Sequence, residues 1–199
     1  RNLFEGSTTF PVAAFLVQES STLTFAAVNN MQISVTDANA DARAADLKVT
    51  ITTVLASDGT TPSGTLTLNA AALAGLNVVT GSGIMGAAVV IEDDSVAAIN
   101  AALDGLVFTP DGVNNVIFRI VSDDQDVTFV GPPAGAATDN DTLTINVNDR
   151  PDLNSDPFVF AVDEGSAIGV FVGSVTATDS DLGSGDVLTF AITGGNVLG

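Results

Sequence analysis

The sequence has 199 residues and a formal net charge of −19, because 24 Asp and Glu residues stand against only five Lys and Arg. This shortage of cations excludes nucleic acid as a partner, since little is available to neutralise phosphates, and it disfavours anionic membrane surfaces. The length allows one large domain or two ordinary ones, and no apolar run approaches the roughly 18 residues of a membrane span, so no membrane insertion is expected.

Strand-like segments recur along the chain, each rich in Val, Thr, Ile and Phe and bounded by Gly, Asn, Asp or Pro. In chain order they are 21–25, 31–37, 47–54, 65–69, 115–123, 141–149 and 174–179. Their alternation with a period of two, at intervals of roughly ten residues, predicts an all-β antiparallel sandwich or barrel. Exposed loops are predicted at 57–64 and 131–140, where Gly, Pro, Ser, Thr and Ala dominate.

One segment departs from this pattern. Between residues 93 and 106, the apolar side chains Val96, Ile99, Leu103 and Leu106 follow helical spacing. Asp94 or Ser95 precedes them as a candidate N-cap. The sequence therefore predicts one short helix near 95–104, packed on the sandwich.

The chain also repeats itself weakly, because segments 15–52 and 158–193 share polar positions between their strands. The matched pairs are Glu19 with Glu164, Asp37 with Asp179, Asn39 with Asp181, and Asp46 with Asp186. Such a repeat predicts tandem copies of one domain, and the stretch NDRPDLNSDPF (148–158) lies between the copies.

Carboxylates crowd around this connector in a chain that is already strongly acidic. Two unit charges 4 Å apart interact by about 4 kcal/mol at an effective dielectric near 20, so several converging acids would repel one another. A divalent cation reverses the sign. Ca²⁺ takes roughly 6–8 oxygen ligands from carboxylates, amides and carbonyls, whereas the thiolates and imidazoles that zinc and copper favour are absent from this sequence.

Five stretches carry a family resemblance. AVDEGSAIGVFVGSVTATDSDLGSGDVLTFAITGGN resembles the first half of a cadherin repeat, with its strand-A glutamate (Glu164), Gly169, Gly173 and the TDSD aspartates. FRIVSDDQD, TLTINVND and the connector resemble the last two strands and the linker of the preceding repeat. INAALDGLVFTP is similar to a phrase in the long repeats of giant bacterial surface adhesins of the RTX type. The resemblance implies tandem Greek-key (cadherin/immunoglobulin-like) β-sandwiches.

The resemblance also implies a division of the chain. Residues 1–14 would be the end of a preceding linker or a donated strand, 15–149 a complete cadherin-like repeat, and 150–157 a calcium-binding linker. Residues 158–199 would be the N-terminal part of a second, incomplete repeat, because a seven-stranded sandwich needs about 100 residues. We expect a continuation of the chain, a second copy or another partner to cover its apolar face, at Val159, Phe171, Val175, Leu188, Phe190 and Ile192.

Calcium is the cofactor that the resemblance implies. Around the connector its ligands would be Glu19, Asn146, Asn148, Asp149, Asp152, Asn154, Asp179 and Asp181. At the other end of the first repeat they would be Asp37, Asn39, Asp41 and Asp123 or Asp124. Two departures, Asp104-Gly105 in place of a longer acidic motif and Arg150 within the linker, favour one or two ions per junction over three.

Catalysis finds little support, so we expect no enzyme. Without His or Cys the chain has no Ser–His–Asp or Cys–His arrangement, and it lacks the Trp and Tyr on which sugar-cleaving clefts stack their substrates. The sequence favours a calcium-rigidified segment of an extracellular, cell-surface adhesin that supports cell adhesion and biofilms. Its partners would be neighbouring repeats of the same chain, with surface glycans or other adhesin copies as candidates. The alternative is a calcium-dependent polysaccharide-binding module.

Overall fold

The chain forms two compact units, Arg1–Asn148 (unit 1) and Asp149–Gly199 (unit 2). The structure, a computed structural model, describes residues 7–9, 14–37, 46–125, 138–182 and 187–194. Within these ranges the regular structure is mostly β-strand with one α-helix, which confirms the predicted all-β class. Across the same ranges, helices are too short or too polar to span a bilayer.

Unit 1 contains most of the strands. In chain order they are β1 (Ser7–Thr9), β2 (Ala14–Gln18), β3 (Leu23–Phe25), β4 (Ser34–Thr36), β5 (Leu47–Leu55), β6 (Thr65–Thr67), β7 (Val78–Thr80), β8 (Val89–Asp93), β9 (Leu106–Thr109), β10 (Val116–Asp123) and β11 (Thr138–Asn148). Helix α1 (Val96–Leu103) lies between β8 and β9, and short 3₁₀ turns occur at Ala27–Asn29 and Ala70–Ala72.

These strands form two facing sheets and a small ribbon. The larger sheet has the order β2-β11-β10-β5-β8-β7, and the smaller has the order β3-β9-β6. Strand β2 pairs parallel to β11, while the other pairs of both sheets are antiparallel. Strand β1, in the segment predicted as a linker end or donated strand, pairs with β4 of the same unit.

The core lies between the two sheets because alternate side chains of each long strand point inward. In β5 and β10 every second residue is buried and its neighbours are half-buried, as a period of two requires. Phe118 of the larger sheet contacts Phe25 of the smaller one, with ring centroids 5.2 Å apart. Both rings are fully buried and belong to one apolar cluster that also includes Ile99 and Leu103 of α1.

Helix α1 confirms the predicted helix, with one correction. Ser95 is its N-cap, and the Ser95 hydroxyl accepts the backbone N–H of Ala98. The helix ends at Leu103, so Leu106, although it follows helical spacing, begins strand β9 instead. Gly105 causes the change of direction, because its φ of +91° is a left-handed conformation and its N–H donates to the carbonyl of Phe25 at 2.7 Å.

Other expectations for unit 1 need correction at the level of single strands. The predicted loop at 131–140 is wrong at residues 138–140, which begin β11, and its remaining part lies outside the described residues. Strand β4 is shorter than the predicted 31–37, since only residues 34–36 pair with β1. Loop 57–64 is confirmed as a turn region, with a single isolated bridge between Pro62 and Val54.

Unit 2 has little regular structure in its described part. Strands β12 (Asp152–Leu153) and β13 (Ala177–Thr178) pair antiparallel, and β13 is the only part of the predicted strand 174–179 that forms. The apolar side chains of Val159, Phe171 and Ile192 are 83%, 79% and 78% exposed. Without an apolar layer to cover them in the described ranges, the alternating pattern of 158–193 does not produce a sheet.

Candidate metal centre

Unit 2 places three aspartates and a serine in one hydrogen-bonded group, which we call the Asp149 cluster: Asp149, Asp179, Ser180 and Asp181. One carboxylate oxygen of Asp149 accepts both the N–H and the hydroxyl of Ser180, at 3.2 and 2.6 Å. The N–H of Asp149 donates to Asp181 at 3.2 Å, and the N–H of Asp181 donates to Asp179 at 3.2 Å. The group therefore joins the start of the connector to the turn after β13.

The carboxyl groups of the cluster lie close enough together to perturb one another. The Oδ1 atom of Asp181 is buried and has no hydrogen-bond partner among the described residues. The pKa of Asp179 is raised, first by a side-chain contact with the carboxyl of Asp181, then by burial and by the charges of Asp181 and Asp149. Carboxyl groups this close to one another favour either a shared proton or a bound cation.

Strands β12 and β13 hold the two halves of the cluster together. Asp152 lies opposite Thr178, and Leu153 lies opposite Ala177. Beyond this pair, the Asn154 N–H donates to the Thr176 carbonyl at 3.1 Å, and the Asn154 side-chain amide donates to the Thr176 hydroxyl at 3.0 Å. Asp152 and Asn154 are exposed, and their hydrogen bonds are to the facing strand rather than to the cluster.

The donor set of the cluster suits a hard cation. Carboxylate and hydroxyl oxygens are the ligands that Ca²⁺ takes in proteins, and the unsatisfied Asp181 oxygen supplies a buried donor position. The three carboxylates are not arranged around one point, since one oxygen of each accepts a neighbouring N–H. In the described part of the chain, acidic side chains do not gather in threes at metal-holding geometry.

The predicted ligands of unit 1 near the connector lie on the paired strands β2 and β11. Asn146 and Asn148 face Leu16 and Gln18 in the parallel register, and they alternate with buried residues of β11. The N–H of Glu19 donates to the carbonyl of Asn148 at 2.9 Å, so these two candidates are adjacent. The Asn148 side-chain amide donates to the Gln18 side chain at 3.2 Å.

The second predicted group of unit 1 is only partly described. Asn39 and Asp41 lie outside the described residues. Asp123 ends strand β10, where its carboxylate accepts the N–H of Gln125 at 2.9 Å, and Asp124 follows it. Asp37 follows strand β4.

The structure adds Asp46 to this second group. The Gln125 side-chain amide donates to the Asp46 carbonyl at 3.3 Å, and the Asp46 carboxylate accepts the Asn77 amide at 3.1 Å. Gln125 thus joins Asp46 to Asp123.

Two features of these sites were not predicted from the sequence. Ser180 provides the shortest contact of the Asp149 cluster, and its position between two matched aspartates was the available signal. Asp104, which the resemblance treats as a remnant of an acidic metal motif, has a structural role. Its carboxylate accepts the N–H of Ala27 at 2.8 Å at the start of a 3₁₀ turn.

The internal repeat matches Asp37 with Asp179, and each of these residues lies directly after a strand. Asp37 directly follows strand β4, and Asp179 directly follows strand β13.

Neither a protein-family model, nor a curated protein, nor a solved structure matches this chain.

Proposed function

We propose that this chain is a calcium-binding segment of an extracellular surface adhesin, built from tandem cadherin-like Greek-key repeats. The observation that carries the calcium part is the Asp149 cluster. It holds three carboxylates together, and one buried Asp181 oxygen has no hydrogen-bond partner in the part of the chain that the structure describes. A cation there would remove the repulsion that raises the pKa of Asp179. Asp149, Asp179, Ser180 and Asp181 would hold the ion through oxygen atoms.

The adhesin part is supported by the resemblance of the sequence and by the all-β architecture of unit 1. Its role would be mechanical, because bound calcium would fix the connector 150–157 that begins beside Asp149. Strands β12 and β13 form only one short pair, so the fold around the cluster is held by few backbone contacts. A ligand present at 100 times its dissociation constant stabilises a folded protein by about 2.7 kcal/mol, which is large for so small a unit.

Isothermal titration calorimetry with calcium tests the proposal. Chelator-treated and desalted protein should bind calcium saturably, and Asp181→Asn should weaken that binding at least about tenfold, because it removes a charged ligand without changing shape. Asp163→Asn is the matched control, since it makes the same charge change in unit 2 at a residue outside the cluster. Calcium binding that is equal in both variants, or no saturable heat for the parent chain, would contradict the proposed site.

A further inference from the structure

A cleft on unit 1 is lined by a cation and by no acidic residue, although the chain as a whole is strongly acidic. Its volume is about 420 Å³, and its lining includes Thr52, Val54, Thr60, Pro62, Ala88 and Arg119. A cavity of this size is at the lower end of the range for small-molecule sites, roughly 300–1,000 Å³. All of its lining residues belong to unit 1, whereas the Asp149 cluster belongs to unit 2.

Arg119 is the chemically distinctive residue of this cleft. It lies on β10 between the buried residues Phe118 and Ile120, so its side chain is on the outer face of the sheet, between Thr52 of β5 and Thr142 of β11. Its Nε atom is buried and has no hydrogen-bond acceptor among the described residues. An unsatisfied buried donor is costly, so the guanidinium group has hydrogen-bonding capacity that the described residues do not use.

Among the described residues, Arg119 has no ion-pair partner, which is informative in so acidic a chain. With 24 acidic residues and five basic ones, a cation has many possible partners, and Lys48 on the adjacent strand β5 does pair with Glu92 at 3.4 Å. Arg119 forms no ion pair with any described residue, although acids outnumber bases so strongly. The guanidinium group presents a planar set of donors that matches a carboxylate with two parallel hydrogen bonds.

Hydrogen bonds within the protein hold the walls of the cleft in place. The carboxylate of Asp58 accepts the N–H groups of Thr60 and Thr61 at 2.8 and 2.9 Å, which fixes the turn that contributes Thr60 and Pro62. The Gly86 N–H donates to the Gly64 carbonyl at 2.8 Å and secures the third side of the cleft. Preformed walls lower the ordering cost of binding.

We propose that this cleft binds the carboxylate of an acidic sugar, with Arg119 as its anchor. Hydroxyls of Thr52 and Thr60 suit the hydroxyl groups of such a ligand, and the apolar surfaces of Val54 and Pro62 suit the face of its ring. The charge of −19 penalises a dianionic phosphate about twice as strongly as a monoanionic carboxylate. The ligand is therefore a uronic acid unit, either free or within a polysaccharide.

The test is a titration of the full chain with methyl galacturonoside, followed by saturation-transfer NMR and calorimetry. We expect saturable binding with a Kd on the order of 1 mM, as suits a ligand of this size. The methyl ester of the same compound, which has the same shape without the charge, and inorganic phosphate should both bind at least about tenfold more weakly. No saturable binding, or equal binding of the ester or of phosphate, would overturn the assignment.

Variants separate the cleft from the rest of the molecule. Arg119→Lys keeps the charge and loses the planar donor set, and Ala88→Leu fills the cleft from an exposed position while leaving Arg119 intact. Both should weaken galacturonoside binding at least about tenfold with unchanged circular dichroism spectra. Arg150→Lys, the same substitution in unit 2, should bind like the parent. Parent-like affinity in both cleft variants would refute the anchor.

Calcium provides the final arm of the test. Titrations in 2 mM calcium and in metal-free, desalted protein should give the same affinity, because the proposed contacts are all made by protein side chains. Chelator must be removed first, since its own carboxylates would compete for Arg119. Galacturonoside binding that disappears without calcium would overturn the role of Arg119 and would assign the carboxylate to a metal instead.

Discussion

Asn100 is the polar link between helix α1 and strand β4, and its removal should destabilise unit 1 substantially. Its side-chain oxygen accepts the N–H of Val35 at 2.8 Å, and its amide donates to the carbonyl of Val35 at 2.9 Å. Val35 is fully buried, so water cannot replace either contact in Asn100→Ala. Each buried group left unsatisfied costs about 1–3 kcal/mol, and the better helix propensity of alanine returns about 0.5 kcal/mol. For two groups, the net loss should be about 1.5–5.5 kcal/mol.

The assay is urea unfolding followed by far-ultraviolet circular dichroism, because the chain has no Trp or Tyr to serve as a fluorescent probe. With a slope of about 2 kcal/mol per molar urea, the midpoint should fall by about 1–3 M. Asn114→Ala is the matched control, since Asn114 is exposed in the loop before β10, and its midpoint should be almost unchanged. If both variants unfold at the same urea concentration, the two Val35 contacts do not stabilise the fold as argued.

A second substitution at the same position tests the direction of the two hydrogen bonds. Asn100→Asp keeps an acceptor for the Val35 N–H but places a negative charge beside the Val35 carbonyl. At neutral pH it should be at least as unstable as Asn100→Ala. At low pH the protonated acid can donate to that carbonyl again, so the difference from the parent should shrink. A difference that does not depend on pH would refute the assigned direction of the two hydrogen bonds.

Two further predictions concern the backbone around the cleft. Hydrogen bonds from Thr61 and Thr60 lower the pKa of Asp58 to about 2. The contribution of Asp58 to stability is therefore present above about pH 4 and is lost as the pH falls toward 2. Thermal melts of Asp58→Asn should show a weaker pH dependence over this range than those of the parent. Gly81→Ala should lower the melting temperature much more than Gly75→Ala. Both glycines have a positive φ, but only a methyl group at Gly81 would overlap the Ala88 carbonyl. Equal decreases in melting temperature would mean that φ alone accounts for the effect.

The long central elements of unit 1 could be predicted from sequence because their patterns are unambiguous. Strands β5 and β10 alternate over eight or nine residues, and α1 combines helical spacing with a serine cap. Strand β8 was missed because its apolar run lacks alternation in the sequence. Strand β9 was missed because Leu106 continues the helical spacing, and only the left-handed conformation of Gly105 separates it from the helix.

Strands of unit 2 were predicted less well from the sequence, because an alternating segment forms a sheet only when a second layer covers its apolar face. The alternation of 158–193 is as clear as that of β10, yet a strand forms only at Ala177–Thr178 within the described part of this segment. Strand formation depends on burying one face, and side chains such as Phe171 and Ile192 remain exposed. Periodicity predicts which face would be buried, and it carries no information about what covers that face.

The two proposed sites illustrate the same difference between local and tertiary signals. Asp179 and Asp181 are close in sequence, and their recurrence after a strand allowed their proximity to be expected before the fold was known. The cleft could not be expected, because Arg119 meets Thr60 and Ala88 only through the pairing of β10 with β5 and the folding of two turns. Because the two proposed sites have opposite chemistry, calcium distinguishes them. It should stabilise unit 2, where three carboxyl groups lie close together, and it should leave the affinity of the cleft unchanged, because the cation there is the side chain of Arg119.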